Sequence, residues 1–204
     1  MSRLRQAHRI FEEKEPRNLF YQVATHLVES SRRPSAKLTL AESLAVLLQT
    51  WNAQYYRFPR QGRPAGFRHE NLSGLQRLLG RHHADLEAYR KQLLRRLTPS
   101  DAARVRSLFS DFEGELGTVG AAKALHLLAP RFFPLWDRAI ARGAYHLSLS
   151  NPTGCAGAYE RLIAAVNDEI SSCGGWGAFS KDENPVKLID ELHYCECTLR
   201  EPVP

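Results

Sequence analysis

Long hydrophobic runs are missing from this sequence: no segment approaches ~18 consecutive apolar residues, the length a membrane-crossing helix needs. Met1-Ser-Arg-Leu-Arg5 leads into a charged stretch and not into the apolar core of a secretion signal, so the expected location is cytoplasmic with no membrane partner. Cysteine is scarce, and Cys155, Cys173, Cys195 and Cys197 lack paired Cys-x-x-Cys spacing, which argues against zinc and iron–sulfur sites and for reduced thiols. His82 and His83 are the one histidine pair, but neighbours on a helix point about 100° apart, so no metal is expected there. Segments of strand period, internal repeats and low-complexity tracts are also absent. These absences leave an all-α fold with no cofactor and no obligate protein partner in evidence.

What is present suffices for a core. Hydrophobic residues make up 43% of the 204, and 28 Lys and Arg stand against 22 Asp and Glu, a net charge of +6. Most of the cations are Arg, which favours planar two-point contacts to phosphate, although solubility alone would select a mild excess. The length fits one compact unit or two small helical lobes sharing a groove.

Periodicity marks helices over 3–14, over Asn18–Ser31 and from a Thr39/Glu42 capping box to about Tyr56. One long helix over Asn71–Leu97, with a weak point at Gly80, and another starting at Thr98-Pro99 follow. The C-terminal part reads as helices over Gly157–Cys173 and Pro185–Cys197, joined by a flexible Gly174-Gly-Trp-Gly177 turn. Phe58–Gly66, rich in Pro, Gly and Arg, reads as a basic loop and a plausible lobe boundary.

The chain is organised around Leu116–Asp137. Gly117 and Gly120 bracket a tight turn, after which Ala121, Ala124, Leu125 and Leu128 run at helical spacing. Unpaired amides at a helix start bind anions. Pro130 and Pro134 end that helix, and Asp137 opens the next, expected over Asp137–Leu147. Asp is also among the preferred helix caps, so the sequence leaves a catalytic carboxylate and a plain cap both open at 137.

Leu116-Gly-Thr-Val-Gly-Ala-Ala-Lys-Ala124 resembles the hairpin of the helix-hairpin-helix DNA glycosylase superfamily, with Gly117 where that family has Pro and Thr118 where it has its first Gly. Leu38–Leu147, and Gly120–Asp137 most specifically, is also similar to a family of small bacterial helical proteins. Its members include phage-defence enzymes that remove glucosylated hydroxymethylcytosine from viral DNA.

The resemblance implies a two-lobed helical bundle with a helix-hairpin-helix-like motif and a cleft, in a single domain over 1–204. Its parts are a wedge lobe at about 38–66, a hairpin and catalytic lobe at about 98–147, and C-terminal helices at 152–197 packing back. It implies a DNA partner and a DNA glycosylase that hydrolyses the N-glycosidic bond of a flipped-out modified base. Asp137 would be catalytic. Gly117, Thr118, Val119, Gly120, Ala121 and Lys123 would hold the DNA backbone, Gln49 or Asn52 would be the wedge, and Trp51, Tyr55, Tyr56 and Trp136 would wall the base pocket. Ala122 stands where strand-cleaving members carry a Schiff-base Lys, which implies hydrolysis without lyase activity. The rival readings are a non-catalytic helical nucleic-acid-binding module and a protein-interaction domain.

Overall fold

A computed structural model describes residues 2–51, 53–57, 65–149 and 154–204, with the side chains at 51, 54 and 55 outside that description. Among the described residues every regular element is helical. The basic loop 58–64, which holds most of the expected lobe boundary, and Asn52 lie outside the described residues.

The described residues form ten α-helices in order: α1 Ser2–Lys14, α2 Asn18–Ser31, α3 Leu40–Trp51, α4 Ala53–Tyr56, α5 His69–Arg81, α6 His83–Arg90, α7 Pro99–Leu128, α8 Arg138–Gly143, α9 Ala156–Ser172 and α10 Pro185–Tyr194. A π-helical turn, Cys195–Leu199, extends α10.

The centre is α7. Its first half buries Val105, Leu108, Phe109, Phe112 and Leu116 at helical spacing, and from Gly120 to Leu128 all but Lys123 are buried. The helices α2, α3, α5 and α9 pack on it, and α10 packs on α1, α8 and α9. Phe109 stacks on Tyr159 of α9 at 4.2 Å, and Trp136 meets both rings edge-on. The chain ends are joined: α1 packs on α10, Arg5 pairs with Glu183 at 2.9 Å, and Lys14 pairs with Glu201 at 2.7 Å.

Local signals set several boundaries. Thr39 and Glu42 form the capping box expected of them, with the Thr39 amide donating to Glu42 Oε2 at 2.7 Å and the Glu42 amide to Thr39 Oγ1 at 3.2 Å. Thr98 and Asp101 do the same for α7, with Pro99 in its first turn.

Three expectations are corrected. The long helix over Asn71–Leu97 is two helices broken at His82, not at Gly80, because His82 Nε2 reaches across to Asp111 at 2.8 Å. It ends at Arg90, and Leu94 instead pairs its amide with the Arg131 carbonyl at 2.8 Å. The Gly174–Gly177 turn is a 3₁₀ turn at Trp176, whose indole donates to the Leu94 carbonyl at 2.9 Å while Arg131 lies over its ring at 5.0 Å. The helix expected over Asp137–Leu147 closes at Gly143.

At the expected turn, only Gly117 leaves helical geometry, with φ 72° and ψ 165°, and Gly120 is an ordinary buried helical residue. Gly117 therefore kinks α7, a conformation that an L side chain resists. Gly117→Ala is expected to cost about 1–2 kcal/mol in urea denaturation; unchanged stability would mean that the kink is not required.

Candidate active site

Asp137 stands at the start of α8 with extended backbone, and its Oδ1 accepts from the Ile140 amide at 2.9 Å. It is an N-cap, as its residue type allows. Its carboxylate also lines a cavity of about 110 Å³, room for several waters or one planar heterocycle. The walls come from both chain ends and the middle: Phe11, Glu15, Arg17, Asn18 and Tyr21 from the N-terminal helices, Lys123 from α7, and Lys187, Asp190 and Tyr194 from α10.

Lys123, expected to help hold the DNA backbone, lines the same cavity as Asp137. Burial lowers its pKa to about 8, against the opposing pull of Asp137. Burial likewise raises the Asp137 carboxyl, offset in part by the Ile140 amide. The two groups are held closer to neutrality than free side chains would be, the pattern found where proton transfer or nucleophilic attack is required.

Fixed charges surround them. Lys187 lies deeper, 2.9 Å from Asp190 and 3.3 Å from Glu191, with its ammonium over the rings of Phe11 at 4.4 Å and Tyr21 at 5.1 Å. Burial opposes its charge, but the two carboxylates outweigh that and raise its pKa. Glu15 accepts two bonds from the Arg17 guanidinium, at 2.8 and 2.7 Å, and one from the Tyr194 hydroxyl. The Arg17 bonds, above all, pull Glu15 down to about 2, so it stays an anion.

His126 holds the loop that carries Asp137. It is fully buried on α7, and its Nδ1 is 2.8 Å from the Phe133 carbonyl, which only accepts, so Nδ1 carries the proton. Nε2 then accepts from the Tyr21 hydroxyl at 3.1 Å. Burial lowers its pKa to about 4. The Tyr159 hydroxyl donates to the next carbonyl, Pro134, at 2.8 Å.

The other expected site residues are spread more widely. Trp136 is 1% exposed and packed in the core, so its ring is no open pocket wall, although the residue borders the cavity; its indole donates to the Thr118 carbonyl at 3.4 Å. Gly120 and Ala121 are buried inside α7, and Thr118 and Val119 are half-buried. The Thr118 hydroxyl donates to Glu113 Oε1 at 2.5 Å, and Glu113 Oε2 accepts from the Cys155 amide at 2.9 Å. A carboxylate of the chain itself thus stands at the corner where a phosphate was expected.

Gln49 is exposed on α3. Tyr56 packs edge-on against Phe67 at 5.2 Å, not on the cavity. Asn52 and the side chains of Trp51 and Tyr55 lie outside the described residues.

Phe11, Glu15, Arg17, Asn18, Tyr21, Lys187, Asp190 and Tyr194 had drawn no functional expectation. Glu15 and Arg17 lie in the turn between α1 and α2, and Lys187 and Asp190 lie on α10, so the sequence carried no local signal that joins them. The four cysteines are free thiols, and no cluster of metal-ligating side chains occurs among the described residues. Nor among them is any helix long and apolar enough to cross a membrane. Comparison with family models, curated proteins and solved structures returns no match to this chain.

Two buried groups set the pH response. His126 titrates near 6.5 when unfolded and about 4 when folded, so its neutral burial stabilises the protein above 6.5 and is lost as pH falls toward 4. Glu15 is depressed instead, from 4.5 to about 2, and its contribution is lost over that lower window. Urea midpoints measured from pH 7 to 3 are expected to fall in both windows. The upper decline should flatten in His126→Gln, and an unaltered upper slope in that variant would contradict the assignment.

Proposed function

We propose that the cavity is the catalytic centre of a DNA glycosylase, an enzyme that hydrolyses the N-glycosidic bond of a base turned out of the duplex. The observation that carries the proposal is the convergence of Asp137 and Lys123, both shifted toward neutrality by burial, on one cavity with aromatic walls. The resemblance of Gly120–Asp137 to the glycosylases agrees with that placement. In the proposed architecture, the Gly117 kink and the two flanking halves of α7 stand for the helix-hairpin-helix motif. The α3 end with Gln49 forms one lip of a cleft.

Chemically, breaking the C1′–N bond sends the bonding pair to the departing base and leaves positive charge on the sugar. Asp137 stabilises that charge and takes the proton of the attacking water. The Ile140 amide donates to Oδ1, and that bond fixes the direction in which the carboxylate meets the sugar. Phe11 and Tyr194, edge to face at 5.4 Å, supply apolar surface to an extruded base, offsetting an unstacking cost of roughly a few kcal/mol. Glu15 and Arg17 supply an acceptor and a donor for its polar edge. A modified cytosine, including the glucosylated form carried by viral DNA, is the proposed substrate, and antiviral defence the proposed setting. The protein would work on DNA in the cytoplasm.

A second reading is favoured by Lys123. The sequence argued against strand cleavage because Ala122 occupies the lyase position, and Ala122 is indeed enclosed in the core, yet Lys123 itself reaches the cavity. An amine with a pKa of about 8 is partly neutral at physiological pH and able to attack C1′, the C1′–N pair leaving with the base; the ring then opens at C1′–O4′, O4′ taking a proton from the amine, to give the imine. Borohydride capture of an adduct on Lys123 selects this reading; release of free base with no captured adduct selects hydrolysis.

The deciding experiment incubates the protein with a panel of modified-base DNAs, including phage genomic DNA, and identifies released bases by mass spectrometry. Asn caps helices as well as Asp does, so Asp137→Asn is expected to keep its melting temperature and duplex affinity while losing base release by about a hundredfold or more. Equal activity in that variant would refute the mechanism. Lys123→Met is expected to lower base release at least about tenfold without altering the salt dependence of DNA binding. A changed salt slope would return Lys123 to the backbone interface.

A further inference from the structure

On the far side of α8 from the cavity, Arg138, Arg142 and His146 line a second, open concavity of about 380 Å³, completed by Leu147, Ser148 and Leu149. Arg138 and Arg142 are one helical turn apart and point the same way. All three cationic or ring side chains are exposed, and none has a hydrogen bond or ion pair among the described residues. That contrasts with Arg5, Arg17, Arg32 and Arg106, each of which meets a carboxylate. No acidic residue lines the concavity.

The backbone at its edge is constrained. His146 adopts φ 53°, the left-handed region that a side chain resists, where the chain turns back so that the Leu147 amide bonds the Ala141 carbonyl at 2.7 Å. Glycine is the residue that suits such a helix exit. A histidine held there against its preference places an imidazole on the same face as the two guanidinium groups, and strain of this kind is characteristic of binding sites.

We infer that Arg138, Arg142 and His146 form a cradle for the phosphodiester backbone of DNA next to the nucleotide whose sugar faces Asp137. This rests on the proposed function and names the backbone contact that the Thr118 corner, blocked by Glu113, does not supply. Guanidinium pairs grip phosphate oxygens at two points, and an imidazole adds a third donor. The register follows from the chain: Arg138 directly succeeds Asp137 on α8, which ties the position of a held phosphate to that of the carboxylate. The two shallow apolar side chains, Leu147 and Leu149, fit the face of a sugar between phosphates.

The test uses the full chain and unmodified duplex DNA, with affinity measured across a range of salt. Arg142→Ala and Arg138→Ala are each expected to lower the slope of log affinity against log salt by about one. His146→Gly is expected to melt no lower than the parent, since it relieves the left-handed backbone, yet to bind duplex more weakly. A purely structural histidine would leave affinity unmoved. Unchanged slopes in both arginine variants would overturn the cradle, as would equal competition by a free nucleoside monophosphate, or binding to vesicles containing phosphatidylserine in place of DNA. Base release from the substrate panel is a separate readout: salt slopes that shift with no base released would sink the glycosylase and leave the cradle standing, and release with unshifted slopes would do the reverse.

Discussion

The arrangement depends on the kink at Gly117. A straight α7 of this length would carry Lys123 onward along one axis. With the helix broken, its second half ends at Leu128, just before Pro130, and the following loop folds back until the Trp136 indole reaches the Thr118 carbonyl, just past the kink. That return brings Asp137 level with Lys123. His126 and Tyr159 fasten the same loop through the carbonyls of Phe133 and Pro134, so the carboxylate is aimed by three hydrogen bonds that originate on two other helices and on Trp136 itself.

Gathering so many ionisable groups in one place is costly. Isolated buried charges are destabilising, and replacing buried pairs with apolar residues is often neutral or better. Here Lys187, Asp190, Glu191, Glu15 and Arg17 partly satisfy one another, while Lys123 and Asp137 respond by shifting toward neutrality. A fold needing only stability would fill this space with Leu and Phe, as the rest of α7 and α9 do. The expense is intelligible if the cavity performs chemistry, and that is the physical ground for preferring an enzyme to a binding module.

Much of the helical layout was legible because it is written locally. The capping boxes at Thr39/Glu42 and Thr98/Asp101, the span of α2 and the start of α10 at Pro185 all follow from residues within one turn of each boundary. The break at His82 was not legible, since its cause is Asp111 on another helix. The cavity was half legible: Asp137 stood out as a helix start after two prolines, whereas its opposite wall comes from α1, α2 and α10. Glu15 and Tyr194 meet across almost the whole chain, and no spacing rule relates them. The place of Lys123 was half legible for the same reason. Its position in the helix was clear, but which side of α7 faces the cavity is decided by helices from the two chain ends.

The capping and catalytic roles considered for Asp137 do not compete. A carboxylate must be both oriented and able to hold charge to stabilise a cationic sugar, and burial works against the second requirement by raising its pKa. The bond from the Ile140 amide returns part of what burial removes: it favours the ionised form and fixes the rotamer. A carboxylate on a flexible loop would be free to ionise but poorly aimed, and one buried without the cap would be aimed but neutral. The short helix α8 resolves that conflict. Its opposite face then presents Arg138 and Arg142 outward, so a single turn of helix can aim the carboxylate inward and grip the proposed backbone outside.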